Sequence, residues 1–184
     1  MPRDYHELIQ ELKALDTPAA NDVLTWGTGR PVWSPASGGG LTSDHSTFRA
    51  QLPSNQSVNS AAFTRITYGT ENFDVLSEYD NVTNYRFTPT TPGYYLVIAS
   101  ALWEDLTIGG SAAIYKNGAA GTEIGRQGGG SGSGNDKWQI SVGLASMNGT
   151  TDYLEGFAYH ATGIAKLIQA GSWTFFAAHK LSNL

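Results

Sequence analysis

The stretch Tyr79-Asp-Asn-Val-Thr-Asn-Tyr-Arg-Phe87, then Thr-Pro-Thr-Thr-Pro, then Gly93-Tyr-Tyr-Leu-Val-Ile-Ala-Ser-Ala-Leu-Trp103 decides the fold. Its second half carries no charge. Side chains alternate across a strand, so Tyr95, Val97, Ala99, Ala101 and Trp103 share one face and Tyr94, Leu96, Ile98, Ser100 and Leu102 the other. A strand with one wet face alternates apolar and polar residues, whereas a strand covered on both sides reads as a nearly continuous apolar run. Two more segments have this two-sided character. Trp173 to Leu181 sets Trp173, Phe175, Ala177 and His179 against Thr174, Phe176 and Ala178, and Tyr153 to Tyr159 sets Tyr153, Phe157 and Tyr159 against Leu154, Gly156 and Ala158. A two-layer sandwich hides only the inner face of each sheet, so the second apolar face of all three is expected to be covered by another molecule, foremost a further copy of the chain.

Around these runs, the chain from 43 to 184 reads as β structure throughout. Short segments rich in Thr, Val, Ile, Tyr and Phe are separated by turn clusters such as Pro53-Ser54-Asn55, Lys116-Asn117-Gly118 and Met147-Asn148-Gly149. The tract Gly128 to Asn135, almost all Gly and Ser, is expected to be a loop between strands. Residues 1–42 differ. Tyr5, Leu8, Leu12 and Leu15 recur at helical spacing, with Glu7, Glu11 and Lys13 between them, which predicts a short amphipathic helix of about two heptads. A helix that short is marginal alone, so it is expected to be ordered against a partner. A Gly- and Pro-rich connector with Leu24, Trp26, Val32 and Trp33 follows and ends in Gly38-Gly39-Gly40, as a hinge would. The expected organisation is therefore an attachment segment, 1–42, and a β domain, 43–184.

Composition narrows the function. The 184 residues include no cysteine, which excludes a thiol nucleophile, thiolate metal ligation and a disulfide framework. Sixteen acidic against eleven basic residues give a net charge of −5, and no basic run exists, which argues against nucleic acid as a partner. No signal sequence or membrane-spanning stretch is read in the chain, and synthesis in a host cytoplasm is the expectation.

The run from Tyr79 to Val97 resembles the signature of the complement-C1q globular head and tumour-necrosis-factor-like superfamily. Phe87, Gly93 and Tyr95 stand at the family's spacing. Asp152-Tyr-Leu-Glu155 is similar to a later family segment, and Ser172-Trp-Thr-Phe-Phe-Ala177 to its terminal Phe-rich strand. One residue is inserted between Tyr79 and Phe87, and Val97 stands where the family has an aromatic residue. The resemblance implies a ten-stranded jelly roll, a compact homotrimer lined by aromatic residues, and a ligand-recognition head without catalysis. Phe87, Tyr94, Tyr95, Val97, Phe157, Tyr159, Trp173, Phe175 and Phe176 are the residues expected in the core or the trimer interface. Separately, Val23-Leu24-Thr25-Trp26-Gly27 with Val32-Trp33 resembles a connector of phage tail and fibre proteins. Tyr5, Leu8, Leu12, Leu15, Leu24, Trp26 and Trp33 are then the residues expected to attach the head to a capsid or tail protein.

Catalytic chemistry finds no foothold. His6, His45, His160 and His179 lack zinc-ligand spacing, and no nucleophile elbow or phosphate-binding loop occurs. His160 and His179 close strand-like runs, which would let them meet. Asp74, Glu78 and Asp80 around the signature, and Glu104-Asp105 after Trp103, offer oxygen ligands that could take calcium; no other cofactor is expected. Trp103, Glu104, Asp105, Tyr115 and Trp138 are the candidate ligand-binding residues, the aromatic ones by stacking on a sugar or peptide. The function these features predict is a structural virion protein, a trimeric fibre or head spike recognising a cell-surface glycan. The alternative is a non-viral C1q-like lectin module.

Overall fold

The structure, a computed structural model, describes residues 22–26, 31–35, 45–104, 109–128 and 137–184. The helix expected over Tyr5–Leu15, Asp105, and the Gly/Ser tract beyond Gly128 lie outside the described residues. The chain divides into two units, Met1–Ser43 and Asp44–Leu184.

In the first unit, β1 (Asp22–Trp26) and β2 (Pro31–Pro35) form an antiparallel ribbon with Leu24 opposite Trp33 and Trp26 opposite Pro31. The connector is thus not extended linker throughout. Its Val, Leu, Thr and Trp residues, all favoured in strands, flank Gly27-Thr-Gly-Arg30, and the spacing is that of a hairpin.

The second unit is an all-β sandwich with jelly-roll topology. Its strands are β3 (Thr47–Leu52), β4 (Gln56–Val58), β5 (Thr64–Arg65), β6 (Thr70–Asp74), β7 (Tyr79–Asp80), β8 (Arg86–Phe87), β9 (Gly93–Trp103), β10 (Gly110–Lys116), β11 (Thr122–Gly128), β12 (Lys137–Met147), β13 (Leu154–His160), β14 (Lys166–Ile168) and β15 (Gly171–Ser182). Seven strands form the larger sheet, in the order β4-β14-β9-β15-β3-β6 with β12 on the other edge of β9. Six form the smaller one, in the order β11-β10-β13-β8-β7 with β5 added to β13. Successive strands switch sheets, β9 to β10, β11 to β12 to β13 and β13 to β14, as a jelly roll requires. Ten strands carry the two principal ladders, and the short β4, β5 and β14 extend them.

The core lies between the sheets. Phe48, Tyr68, Phe87, Tyr95, Trp103 and Phe176 are fully buried in it, along with Val97, Ile114 and Leu154. Phe48 stacks on Tyr79 and Phe87 at 4.5 and 4.6 Å between ring centres and meets the edge of Phe176 at 5.2 Å. The signature residues are explained by this packing. Phe87 and Tyr95 are core rings meeting at 5.8 Å, and a Cβ on Gly93 would run into the Ser182 carbonyl where β15 ends across it. Tyr79, next to them, donates its hydroxyl to the Tyr68 carbonyl at 3.1 Å.

Candidate interaction surface

The two-sided strands resolve into two different situations. In β13, Leu154 and Ala158 face the core while Phe157 and Tyr159 face outward, yet Phe157 is buried. It is covered by this chain itself. Phe63, from the segment before β5, lies 4.9 Å from the Tyr159 ring and 5.5 Å from that of Tyr115, which in turn meets Phe157 edge-on at 5.5 Å. Arg126 stacks over Phe63 at 4.7 Å and donates to the Tyr115 hydroxyl at 3.1 Å and to Glu123. Phe157 is thus covered within its own chain, while Tyr159, against Phe63, stays half-buried. Nothing in the spacing of 59–63 announces that this loop folds over the smaller sheet.

The larger sheet is different. Its inner face takes Tyr95, Val97, Ala99, Ala101 and Trp103 from β9 and Phe176 and Ala178 from β15. Its outer face is set by register, because directly opposed residues of an antiparallel pair point the same way. Leu144 of β12 stands opposite Leu96 of β9, which stands opposite His179 of β15, which stands opposite Thr47 of β3. The next rank runs Val142, Ile98, Ala177, Arg49 and Phe73. Several members are open in the single chain: Tyr94 is 48 % exposed, Val142 55 %, Leu144 65 % and Trp173 56 %. Phe175 is half-buried under the Arg49 guanidinium, 4.7 Å from its ring centre. Of the residues expected in core or interface, Phe87, Tyr95, Val97 and Phe176 are core, while Tyr94, Trp173 and Phe175 belong to this outer face.

At the Trp103 end of that face, Trp138 and Trp173 meet edge-to-face at 4.9 Å. The Trp138 indole N–H donates to Ser100 Oγ at 2.6 Å and to the Trp173 carbonyl at 3.0 Å, which fixes the ring. A register shift in β15 between Gly171 and Phe175 lifts Trp173 off the ladder. Arg49 donates to the Ser172 carbonyl at 3.0 Å and to Asn72 at 2.5 Å, so a polar row runs beside the aromatic one.

The other candidate residues scatter. Trp103 is fully buried, its indole N–H on Gln139 at 3.3 Å and its ring against His160, so stacking on a ligand is ruled out for it. Tyr115 is likewise buried, and its phenol is pushed up by burial and then by its hydrogen bond to Glu123. Glu104 is exposed beside a shallow cavity shared with Ala165, Lys166 and Leu167. His160 and His179 do not meet. His160 is buried at the Gly110 end of β13 with Nε2 2.8 Å from the Val58 carbonyl, and His179 sits outside on the other sheet, stacked on His45 at 5.7 Å.

The carboxylates suggested for calcium turn to separate tasks. Asp74 accepts the Tyr79 amide at 2.7 Å, and Glu78 accepts from Ser46 and from the Thr90 amide at 2.6 Å. Asp80 accepts from the amides of Val82, Thr83 and Asn84, and these bonds, that of Thr83 foremost, hold its carboxyl down at about 2. Among the described residues no group of three or more His, Asp or Glu side chains converges as a metal site. Asp152 is drawn up by partial burial but held below the usual carboxylate range by Lys116, Asn117 and the Asn148 amide. No described helix is long and apolar enough to cross a membrane.

These features define an all-β jelly roll whose larger sheet leaves several apolar side chains of its outer face exposed in the single chain. Among solved structures the chain is similar to murine APRIL, with a TM-score of 0.58 at 16 % identity over 75 % of this chain and 100 % of that one. It is also similar to the Eiger TNF of S. frugiperda, with a TM-score of 0.53 at 15 % identity over 76 % of this chain and 93 % of that one. At such identities the likeness concerns the fold. No protein-family model and no curated protein sequence matches the chain.

Proposed function

We propose that the chain is a non-enzymatic recognition head that works as a homotrimer, its copies joined through the outer face of the larger sheet. The observation that carries this is the pair of apolar ranks, Leu144–Leu96 and Val142–Ile98–Ala177, side by side on one sheet, with Leu144 and Val142 exposed and Leu96, Ile98 and Ala177 half-buried. Soluble monomers rarely keep so continuous a patch open. The trimeric habit of the resembling superfamily supports the count of three. Sedimentation velocity at micromolar concentration is the test. The wild-type chain is expected at three times the monomer mass, and Leu144→Glu, which puts a charge in the first rank, is expected to sediment as a folded monomer. A wild-type monomer would overturn the reading.

The finer reading is a virion protein of a phage or phage-like particle. Here the Met1–Ser43 unit attaches the head to a capsid or tail protein, and the head recognises a cell-surface glycan. The Val-Leu-Thr-Trp and Val-Trp strands of the β1–β2 ribbon, similar to phage connectors, support the attachment. The Trp138–Trp173 pair, two register ranks beyond Val142–Ile98 at the Trp103 end of the sheet and so clear of the joined ranks, supports the glycan, since sugars are held by aromatic faces. A glycan array with the intact chain tests it: binding by wild type that is lost in Trp173→Ala, with the mass unchanged, is expected. An array without signal would leave decoration of the particle as the role.

A further inference from the structure

The geometry points to an acid-sensitive clasp: the stacked pair His45–His179 makes assembly of the head depend on both imidazoles being neutral. This rests on the self-association reading and adds its regulation. His179 is exposed and stands in the rank of Leu144 and Leu96, with Thr47 on its other side. The half-buried His45 precedes β3, and the two rings lie 5.7 Å apart at 27° between planes. A second copy covering the Leu144–Leu96 rank covers this pair as well. Neutral imidazoles tolerate apolar cover. Charged ones resist it, because burial penalises the charged form and like charges at such spacing repel.

On β15 itself Lys180 is cationic. On β3, Arg49 is another cation, committed to Asn72, the Ser172 carbonyl and the Phe175 ring. From β9 the titratable group on this face is the Tyr94 phenol, and β12 contributes Val142, Leu144 and Ser146. The neighbouring carboxylates lie toward the core side of β3: Asp74, opposite Phe48, accepts the Tyr79 amide, and Glu78 accepts from Ser46, next to His45 in sequence, and from Thr90. Glu71 of β6 stands opposite Ala50, off the histidine rank. Asp44, next to His45 in sequence, lies outside the described residues. Acidification therefore adds up to two positive charges per copy to a face whose described members are the apolar Leu96, Ile98, Val142 and Leu144, the neutral Thr47, Ser146 and Tyr94, and the cation Arg49.

The test is sedimentation velocity of the full chain at about pH 7.5 and about pH 5, with near-UV circular dichroism to report the fold of the subunit. Wild type is expected as a trimer at the higher pH and a folded monomer at the lower, its apparent dissociation constant rising by at least about 100-fold. The double variant His45→Phe/His179→Phe is expected to stay trimeric at both. His45→Asn/His179→Asn, should the first fold poorly, is expected to show the same mass at both. A wild-type trimer persisting at the lower pH overturns the clasp and leaves self-association standing. So does a double variant that dissociates at the wild-type pH, or a wild type that unfolds as it dissociates. A wild-type monomer already at the higher pH overturns both.

Discussion

Phe48 shows how much one ring can carry. It is fully buried and meets Tyr79, Phe87 and Phe176, which join three strands of both sheets. Phe48→Ala removes contacts to all three at once and is expected to cost about 3–5 kcal/mol, read as a lower urea midpoint. Asp80 works at the opposite extreme, on the surface, by organising the β7–β8 loop through three amides. Its carboxyl sits at about 2, below its ordinary value, so its contribution is complete above the ordinary carboxylate range and is lost as pH falls through about 2. The protection of the Val82, Thr83 and Asn84 amides, measured as exchange relative to the intrinsic rate at each pH, is accordingly expected to fall on acidification below about pH 4, and Asp80→Ala to remove the same protection at neutral pH at a cost of about 1 kcal/mol. A loop whose exchange ignored both changes would refute this role.

Between elements, one strand pair is held close by glycines and one strand face is closed by a loop. β11 and β12 belong to different sheets but approach so closely that a Cβ on Gly143 would lie 2.6 Å from Ile124 Cγ2, and one on Gly125 2.8 Å from the Val142 carbonyl. Gly143→Val is therefore expected to destabilise the fold by about 1–3 kcal/mol through overpacking, measured by thermal denaturation. The outward face of β13 is instead closed by a loop. Phe63→Ala strips the cover from Tyr115 and Tyr159 and is expected to lower stability by about 2 kcal/mol while leaving the sedimenting mass unchanged, since this cluster lies on the other sheet from the self-association face. A change of mass in that variant would mean that the smaller sheet also takes part in assembly.

At the scale of the molecule, self-association makes stability a function of concentration. If three copies share the outer ranks of the larger sheet, mass action raises the unfolding temperature with protein concentration, and Leu144→Glu is expected to abolish that dependence while keeping the monomer's own transition. Scanning calorimetry over a hundredfold concentration range decides it; a wild-type transition that does not move argues for a head that acts alone. The first unit contributes separately, through its β1–β2 ribbon. A two-stranded ribbon is marginal by itself.

How much of this was readable beforehand differs from residue to residue. The alternation along Gly93–Trp103, the turn residues such as Asn117-Gly118, and the spacing of Phe87, Gly93 and Tyr95 are local properties, set by the two-residue period of a strand and the φ values a turn demands. An all-β sandwich or barrel followed from the alternation and the turns, and the jelly roll from the family resemblance that the spacing of Phe87, Gly93 and Tyr95 carries. Which apolar face becomes core is not local. Tyr94 and Tyr95 are equally apolar in the sequence, and the register of β9 with β12 and β15 sends one inside and leaves the other half-exposed. Burial of Trp103 and Tyr115, the Phe63 cover over Phe157, and the meeting of His45 with His179 across most of the domain depend in the same way on strands distant in sequence. A chain's own periodicity determines that a face is apolar; only the neighbours brought to it by tertiary packing decide whether that face is filled.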